Sequence, residues 1–218
     1  VEKKMKFKLN LLDSNDSIYK AITEDIKNKI DSAVNKAIPN ISLEIKNRVS
    51  VALRDQPEYT SLMTGKLKAE FGIPDSSRVE SVIEGLVNSL NVEKQKTAIR
   101  SRSGIFGGFI LTMIKSDDFN GLINTDIASV SDEKGYSLPW LKWLLLEGSN
   151  SIVKNYSVQY GSSTYSRSGL AIMVPSESSW SVPPEFSGTE SDNWTTRAIN
   201  SVEQDVYAII QNNIEKYL

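Results

Sequence analysis

Histidine and cysteine are both absent from the 218 residues, and this limits the available chemistry before any motif is read. Without imidazole there is no Ser-His-Asp triad, no histidine zinc site and no histidine proton shuttle. Without thiols there is no disulfide, thiolate metal site or cysteine nucleophile. Carboxylate, lysine, tyrosine and magnesium chemistry remain. Acidic residues crowd one region, at Asp117, Asp118, Asp126, Asp132 and Glu133. A two-metal or glycosidase site needs carboxylates converging from several elements. Spacing alone gives crowding, and solvated loop is the simpler reading. None of these residues fits the twelve-residue calcium loop. A magnesium-dependent hydrolase or nuclease using Asp117, Asp118 and Asp126 is the catalytic alternative. Asp118→Ala discriminates, since it would abolish a nuclease and leave a structural protein assembling normally.

The glycines of "SGIFGGF", residues 103–109, are spaced somewhat like a phosphate loop. Such a loop opens a helix and, in the Walker form, carries Lys-Ser/Thr. Here a β-forming run follows and the next lysine is Lys115. The expectation is a turn entering a bulged strand, with no cofactor and no metal. Basic residues cluster at Lys3, Lys4, Lys6 and Lys8, and again at Lys94, Lys96, Arg100 and Arg102. Neither cluster interleaves the aromatics that stack on single strands. The net charge of −2 gives no basic excess for nucleic acid. The apolar run 141–146 contains Lys142 and falls far short of the ~20 residues a bilayer needs. The start, "VEKKMKFKLNLL", is interrupted by Lys6, Lys8 and Asn10, so it is read as neither membrane span nor signal peptide.

Elements to position these residues follow from periodicity. Alternation of Met5, Phe7, Leu9 and Leu11 predicts a strand over 5–12, and Ser14-Asn15-Asp16 offers helix caps. Ile18, Ile22, Ile26, Ile30, Val34 and Ile38 recur every four residues. The apolar face therefore advances ~40° per step, so the helix must wrap its contact around something or lie across several partners. Pro39 stops or kinks this helix, and Ile41, Ile45, Val49 and Leu53 repeat the spacing, giving an αα unit or one bent helix. A short helix around Leu62, Leu67 and Phe71 closes at Gly72 and Pro74. Another over 77–90 opens on a Ser77–Glu80 capping box. A weak edge strand follows over 92–99, then a buried strand over 105–114. Residues 138–146 form a helix with Pro139 in its first turn. Residues 152–160 and 170–174 make a hairpin, and Ser191-Asp192 caps a long terminal helix. The class is α+β, with a mainly antiparallel sheet, a helical N-terminal region and a long C-terminal helix. One domain spans 1–218, helical over 1–90, with sheet, hairpin and terminal helix over 91–218.

Four tryptophans, Trp140, Trp143, Trp180 and Trp194, lie in the second half with Tyr156, Tyr160 and Tyr165. Trp140 and Trp143 share a helical face with Leu144, for which core is the default. Aromatics in loop-rich polar surroundings are also what interfaces favour. The polar loop "GSSTYSRSG", residues 161–169, with Tyr165 and Arg167, has the makings of a gripping element.

The order of short motifs carries a resemblance. "PWLKWLLLEGS" precedes "IVKNYSVQYG", then "SRSGLAIMV", "WSVPPEFSGT" and "NWTTRAINSV", with "TSLMTGKLKAEFGI" upstream. The chain resembles the neck and tail-completion proteins of tailed bacteriophages, best over 139–218 and more thinly over 61–90. The resemblance implies a structural virion protein, assembled in the host cytoplasm, that joins or completes head and tail. It would be a homo-oligomeric ring, six-fold by preference and twelve-fold if it sits on the head side. Tail terminator and head-side adaptor are the alternatives within the family. Its partners would be other neck and tail proteins, with DNA passing through the lumen unread and no membrane. Closed rings use heterologous interfaces, so each subunit presents two different patches. Trp140, Trp143, Tyr165, Arg167 and Trp180 are the residues expected at subunit or neighbour contacts. The terminal helix from Trp194 is expected to pack over the sheet. A carbohydrate-binding module using tryptophan and tyrosine is the remaining alternative, and it predicts sugar affinity in the monomer.

Overall fold

One helix, α1 (Asn15–Asp55), is the longest element among the described residues, about 60 Å at 1.5 Å per residue. The computed structural model describes residues 13–100, 104–112, 116–131 and 135–218, and the side chains of all of these except 100 and 116–118. The strand expected over 5–12 lies outside them, as do Lys3, Lys4, Lys6, Lys8, Arg102, Asp132 and Glu133. Ser14 caps α1, its hydroxyl accepting from the Ser17 amide at 3.1 Å. Pro39 interrupts nothing. It lies inside the helix, and both it and Asn35 are exposed, so the carbonyl deprived of its donor lies on the solvent side. Of the two expectations for 18–53, the single helix is the one observed.

The four-residue apolar repeat lies across several partners only in the second part of the helix, since Ile22 and Ile26 are 53% and 45% exposed. Ala37, Ile41, Ile45, Val49 and Leu53 are wholly buried, and helices cover them from more than one side. Against α1 lie α2 (Pro57–Thr64), α4 (Ser77–Ser89), α7 (Trp194–Ser201) and α8 (Glu203–Glu215), with the short α3 (Lys66–Phe71) packed on α2. α4 runs antiparallel to α1. Lys46 donates to the Asn88 carbonyl at 3.1 Å near one end, and Arg54 pairs with Glu80 at 2.6 Å near the other. α8 is antiparallel to α1 too, with Arg48 on Asp205 at 2.6 Å and the Asn40 amide on the Tyr217 hydroxyl at 3.3 Å.

The expected capping box at Ser77 is not formed. Asp75 accepts from the Ser77 amide at 2.9 Å, and Glu80 turns away to Arg54 and to the Tyr59 hydroxyl at 2.5 Å. The terminal helix is two helices, separated at Val202, which is 1% exposed. Its cap is Asn193, in a reciprocal capping box with Thr196, and not Ser191-Asp192. Both helices pack on α1 rather than over a sheet, because the Trp194 indole reaches the Leu53 carbonyl at 3.0 Å.

The fold is α+β, with every strand pair antiparallel, but the described residues hold four separate two-stranded ribbons instead of one sheet. β1 (Asn91–Lys94) pairs with β4 (Phe109–Thr112), and β2 (Ala98–Arg100) with β3 (Gly104–Phe106). β5 (Val130–Ser131) pairs with β6 (Ser137–Leu138), and β7 (Tyr156–Tyr160) with β8 (Ala171–Pro175). Gly107-Gly108 splits the run expected as one buried strand into β3 and β4. Ile110 on β4 is 45% exposed, so that run is not buried either. Between the ribbons come α5 (Ser116–Ile123), a 3-10 turn at Asp126–Ala128 and α6 (Trp140–Leu146). Pro139 occupies the N-cap of α6, one position before its first turn.

Candidate functional site

The hairpin β7–β8 is marginal by itself, as any isolated ribbon is. It is held by α3. That helix ends on Gly72 in the left-handed conformation (φ 68°), with the Ile73 amide returning to the Lys68 carbonyl at 3.0 Å. The turn sends Phe71 inward and leaves Glu70 facing the hairpin. Glu70 accepts from the Trp180 indole at 2.8 Å and from the Tyr160 hydroxyl. Partial burial of the hydroxyl end of a side chain that is 54% exposed overall, and then that carboxylate, push the Tyr160 hydroxyl above its ordinary pKa, so it goes on donating. Phe71 stands edge-on to Trp180 at 5.8 Å and tilted against Trp140 at 6.2 Å and Trp143 at 6.5 Å. Trp143 completes the group, 6.2 Å from Trp180.

Three of the five expected contact residues therefore serve the interior. Trp140 is 0% and Trp180 8% exposed, and Trp143 is half-buried within the same cluster. The expectation that Trp140 and Trp180 meet a neighbour is corrected. Their rings fill the joint between α3, α6 and the chain leading from the hairpin, and the Trp140 indole donates to the Ile127 carbonyl at 3.1 Å. Tyr165 and Arg167 do lie at the surface, with Tyr165 79% exposed.

The loop carrying them is braced. The Ser166 hydroxyl donates to the Ala171 carbonyl at 2.6 Å, and the Gly161 amide to the Leu170 carbonyl at 2.8 Å. Arg167 reaches back across Gly72, where a Cβ would stand 2.9 Å from its Nε and 3.0 Å from an Nη. Glycine at 72 suits the left-handed backbone and leaves room for the guanidinium. The guanidinium makes no hydrogen bond or ion pair with any described residue, and a cleft opens on each side of it. One, of about 370 Å³, is walled by Val158, Ile172, Met173 and Tyr165. The other, of about 450 Å³, is walled by Arg78, Asp126, Ser129 and Ser131. Arg78 is held there by donating to the Asp126 carbonyl and, at 3.1 Å, to that of Ser129.

Glu70, Gly72 and Arg78 were not among the expected site residues. Gly72 was legible only as a helix stop, and nothing local marks Glu70 or Arg78. The carboxylate reading gains no geometry. Asp126 is an exposed wall of the second cleft, the side chains of Asp117 and Asp118 lie outside the description, and no three acidic residues converge among the described ones. Among the described residues, no helix is long and apolar enough to cross a membrane.

The motifs that carry the resemblance have structural work. Gly148 of "LEGS" and Gly188 of "FSGT" meet backbone to backbone, the Gly148 amide donating to the Gly188 carbonyl at 3.2 Å. A Cβ on Gly188 would lie 2.3 Å from the Leu144 carbonyl oxygen. Arg197 of "NWTTRAI" spans Glu58 at 2.5 Å and Asp192 at 2.8 Å. No protein-family model, curated protein or solved structure matches the chain.

Proposed function

We propose that this chain is a structural assembly protein, of the kind that forms a ring at the neck or tail end of a tailed phage. The observation that carries the reading is a pair of unlike exposed patches, far apart along one subunit. One is the first third of α1, where Tyr19, Ile22 and Ile26 are 50%, 53% and 45% exposed at four-residue spacing or next to it. The other is the braced tip with Tyr165 and Arg167, anchored near the opposite end of α1. The two are separated by about 50 Å of helix contour at 1.5 Å per residue. A ring closed by heterologous contacts needs two different patches on each subunit, and contiguous exposed apolar surface marks interaction sites. The motif order resembling neck and tail-completion proteins supports the same reading, with six-fold closure proposed ahead of twelve-fold.

The mass of the purified chain, alone and mixed with tail tubes, tests the proposal. A ring-sized multiple or tube-bound species is expected. A monomer indifferent to tube and neck alike would overturn it.

A further inference from the structure

We infer that the two clefts flanking Arg167 form one bipartite receptor for an acidic side chain followed by an apolar one on a partner polypeptide. This deepens the assembly reading and rests on it, because it names the chemistry of one of the two patches. Arg167 is exposed and its guanidinium is parked over the Gly72 backbone, where any side chain at 72 would displace it. It is therefore positioned, and no described residue pairs with it. A guanidinium so placed offers a planar fork that carboxylates fit in bidentate fashion. In the larger cleft Arg78 is tied through one Nη to two carbonyls, leaving its other donors toward the space it shares with Arg167. The Ser129 and Ser131 residues complete that wall.

Charge and polarity choose the ligand. Glu70, in the smaller cleft, is engaged by Trp180 and Tyr160. In the larger cleft two guanidinium groups face one carboxylate, Asp126, so its described lining holds a single positive charge in excess. That complements one carboxylate better than a run of phosphates, whose binding grows with each cation supplied. The smaller cleft shares Arg167 and is lined by Val158, Ile172, Met173 and the exposed Tyr165 ring, together with Glu70, whose carboxylate already accepts from Trp180 and Tyr160. An acidic residue on the Arg78 side would place the next apolar residue in this second cleft. A phosphate group alone offers nothing apolar to fill it.

The test uses the full ¹⁵N-labelled chain and follows the arginine Nε–H resonances. The probes are the peptide Ac-Ser-Gly-Ser-Glu-Leu-Leu-Ser-Gly-amide, its Gln counterpart, inorganic phosphate and a twelve-base-pair DNA duplex. The Glu peptide is expected to shift the Arg167 and Arg78 signals saturably. The Gln peptide, and the Glu peptide on Arg167→Ala, should bind about tenfold more weakly or worse, the scale of a lost charge-assisted pair. Gly72→Asn tolerates the left-handed backbone but crowds the guanidinium, so it should weaken binding with no change of charge. Arg167→Lys, an exposed change that leaves the fold alone, should lose a similar factor because it keeps the charge and loses the fork. Equal response to the Glu and Gln peptides, or full binding by Arg167→Ala, would overturn the inference. So would tighter binding of duplex or phosphate. Particle mass on the same samples is a separate readout. A chain that assembles but ignores the acidic peptide loses this inference and keeps the assembly reading, and one that binds it yet stays monomeric does the reverse.

Discussion

A few single residues carry disproportionate weight. Gly188 is one, since the atoms its Cβ would strike are the carbonyl oxygens of Leu144 and Leu145, at 2.3 and 3.0 Å. Backbone cannot give way as a side-chain tip can, so Gly188→Ala should destabilise by about 2 kcal/mol or more. Gly121→Ala in α5, with nothing within 4 Å, should be neutral or mildly stabilising. Urea denaturation of the two variants checks the pair. Glu58 is another. It is 1% exposed, Arg197 holds its Oε1, and its Oε2 has no hydrogen-bond partner among the described residues. Arg197→Met strands that carboxylate and should cost about 3–5 kcal/mol. Adding Glu58→Met should restore much of the loss, because the uncompensated charge goes with it. If the double variant were as weak as the single one in denaturation, the stranded charge would not be the cause.

Asp31 ties the exposed length of α1 to the ribbons. It accepts from Lys27 at 2.8 Å, from Thr97 at 2.5 Å and from Lys94. These donors, Lys27 first, hold its carboxyl well below the ordinary value near 3.8, against the opposing effect of burial. A depressed carboxyl lends stability that is complete above its unfolded value and disappears as pH falls through the folded one. The melting temperature should therefore be insensitive to this group between pH 7 and 5 and decline below about pH 4. Asp31→Asn should make the decline shallower, and identical slopes would remove Asp31 from the account. At this scale the sequence was partly legible. Period located α1, α4 and the hairpin, and Ser14 and Gly72 marked one helix start and one stop, because those signals are local. Continuity through Pro39 was not, since it depends on which side of the helix meets water. The separation of the ribbons was hidden because strand alternation says nothing of partners. Local pattern could say that Trp140 and Trp143 share a face. It could not say that Phe71, far back in the chain, would be waiting for them.

The whole molecule is a long helix with its core gathered toward one end, an exposed apolar stretch at the other, and an aromatic joint stiffening a polar, cationic tip. The tryptophans are better explained as the joint than as the contact, which shifts the assembly reading onto Tyr165, Arg167 and the stripe Tyr19, Ile22 and Ile26. Glutamate at both Ile22 and Ile26 should leave stability within about 0.5 kcal/mol, as exposed changes do, while preventing association. An equal loss of both would mean the stretch serves folding. The central claim is that one subunit joins others through two unlike patches, and native mass spectrometry of the intact chain, with imaging of the same sample, tests it most directly. The account predicts closed rings of one subunit number, six by preference, that dissociate to folded monomers when Ile22 and Ile26 are both changed to Glu. A chain that stays a folded monomer at every concentration, with or without tail tubes, would contradict it.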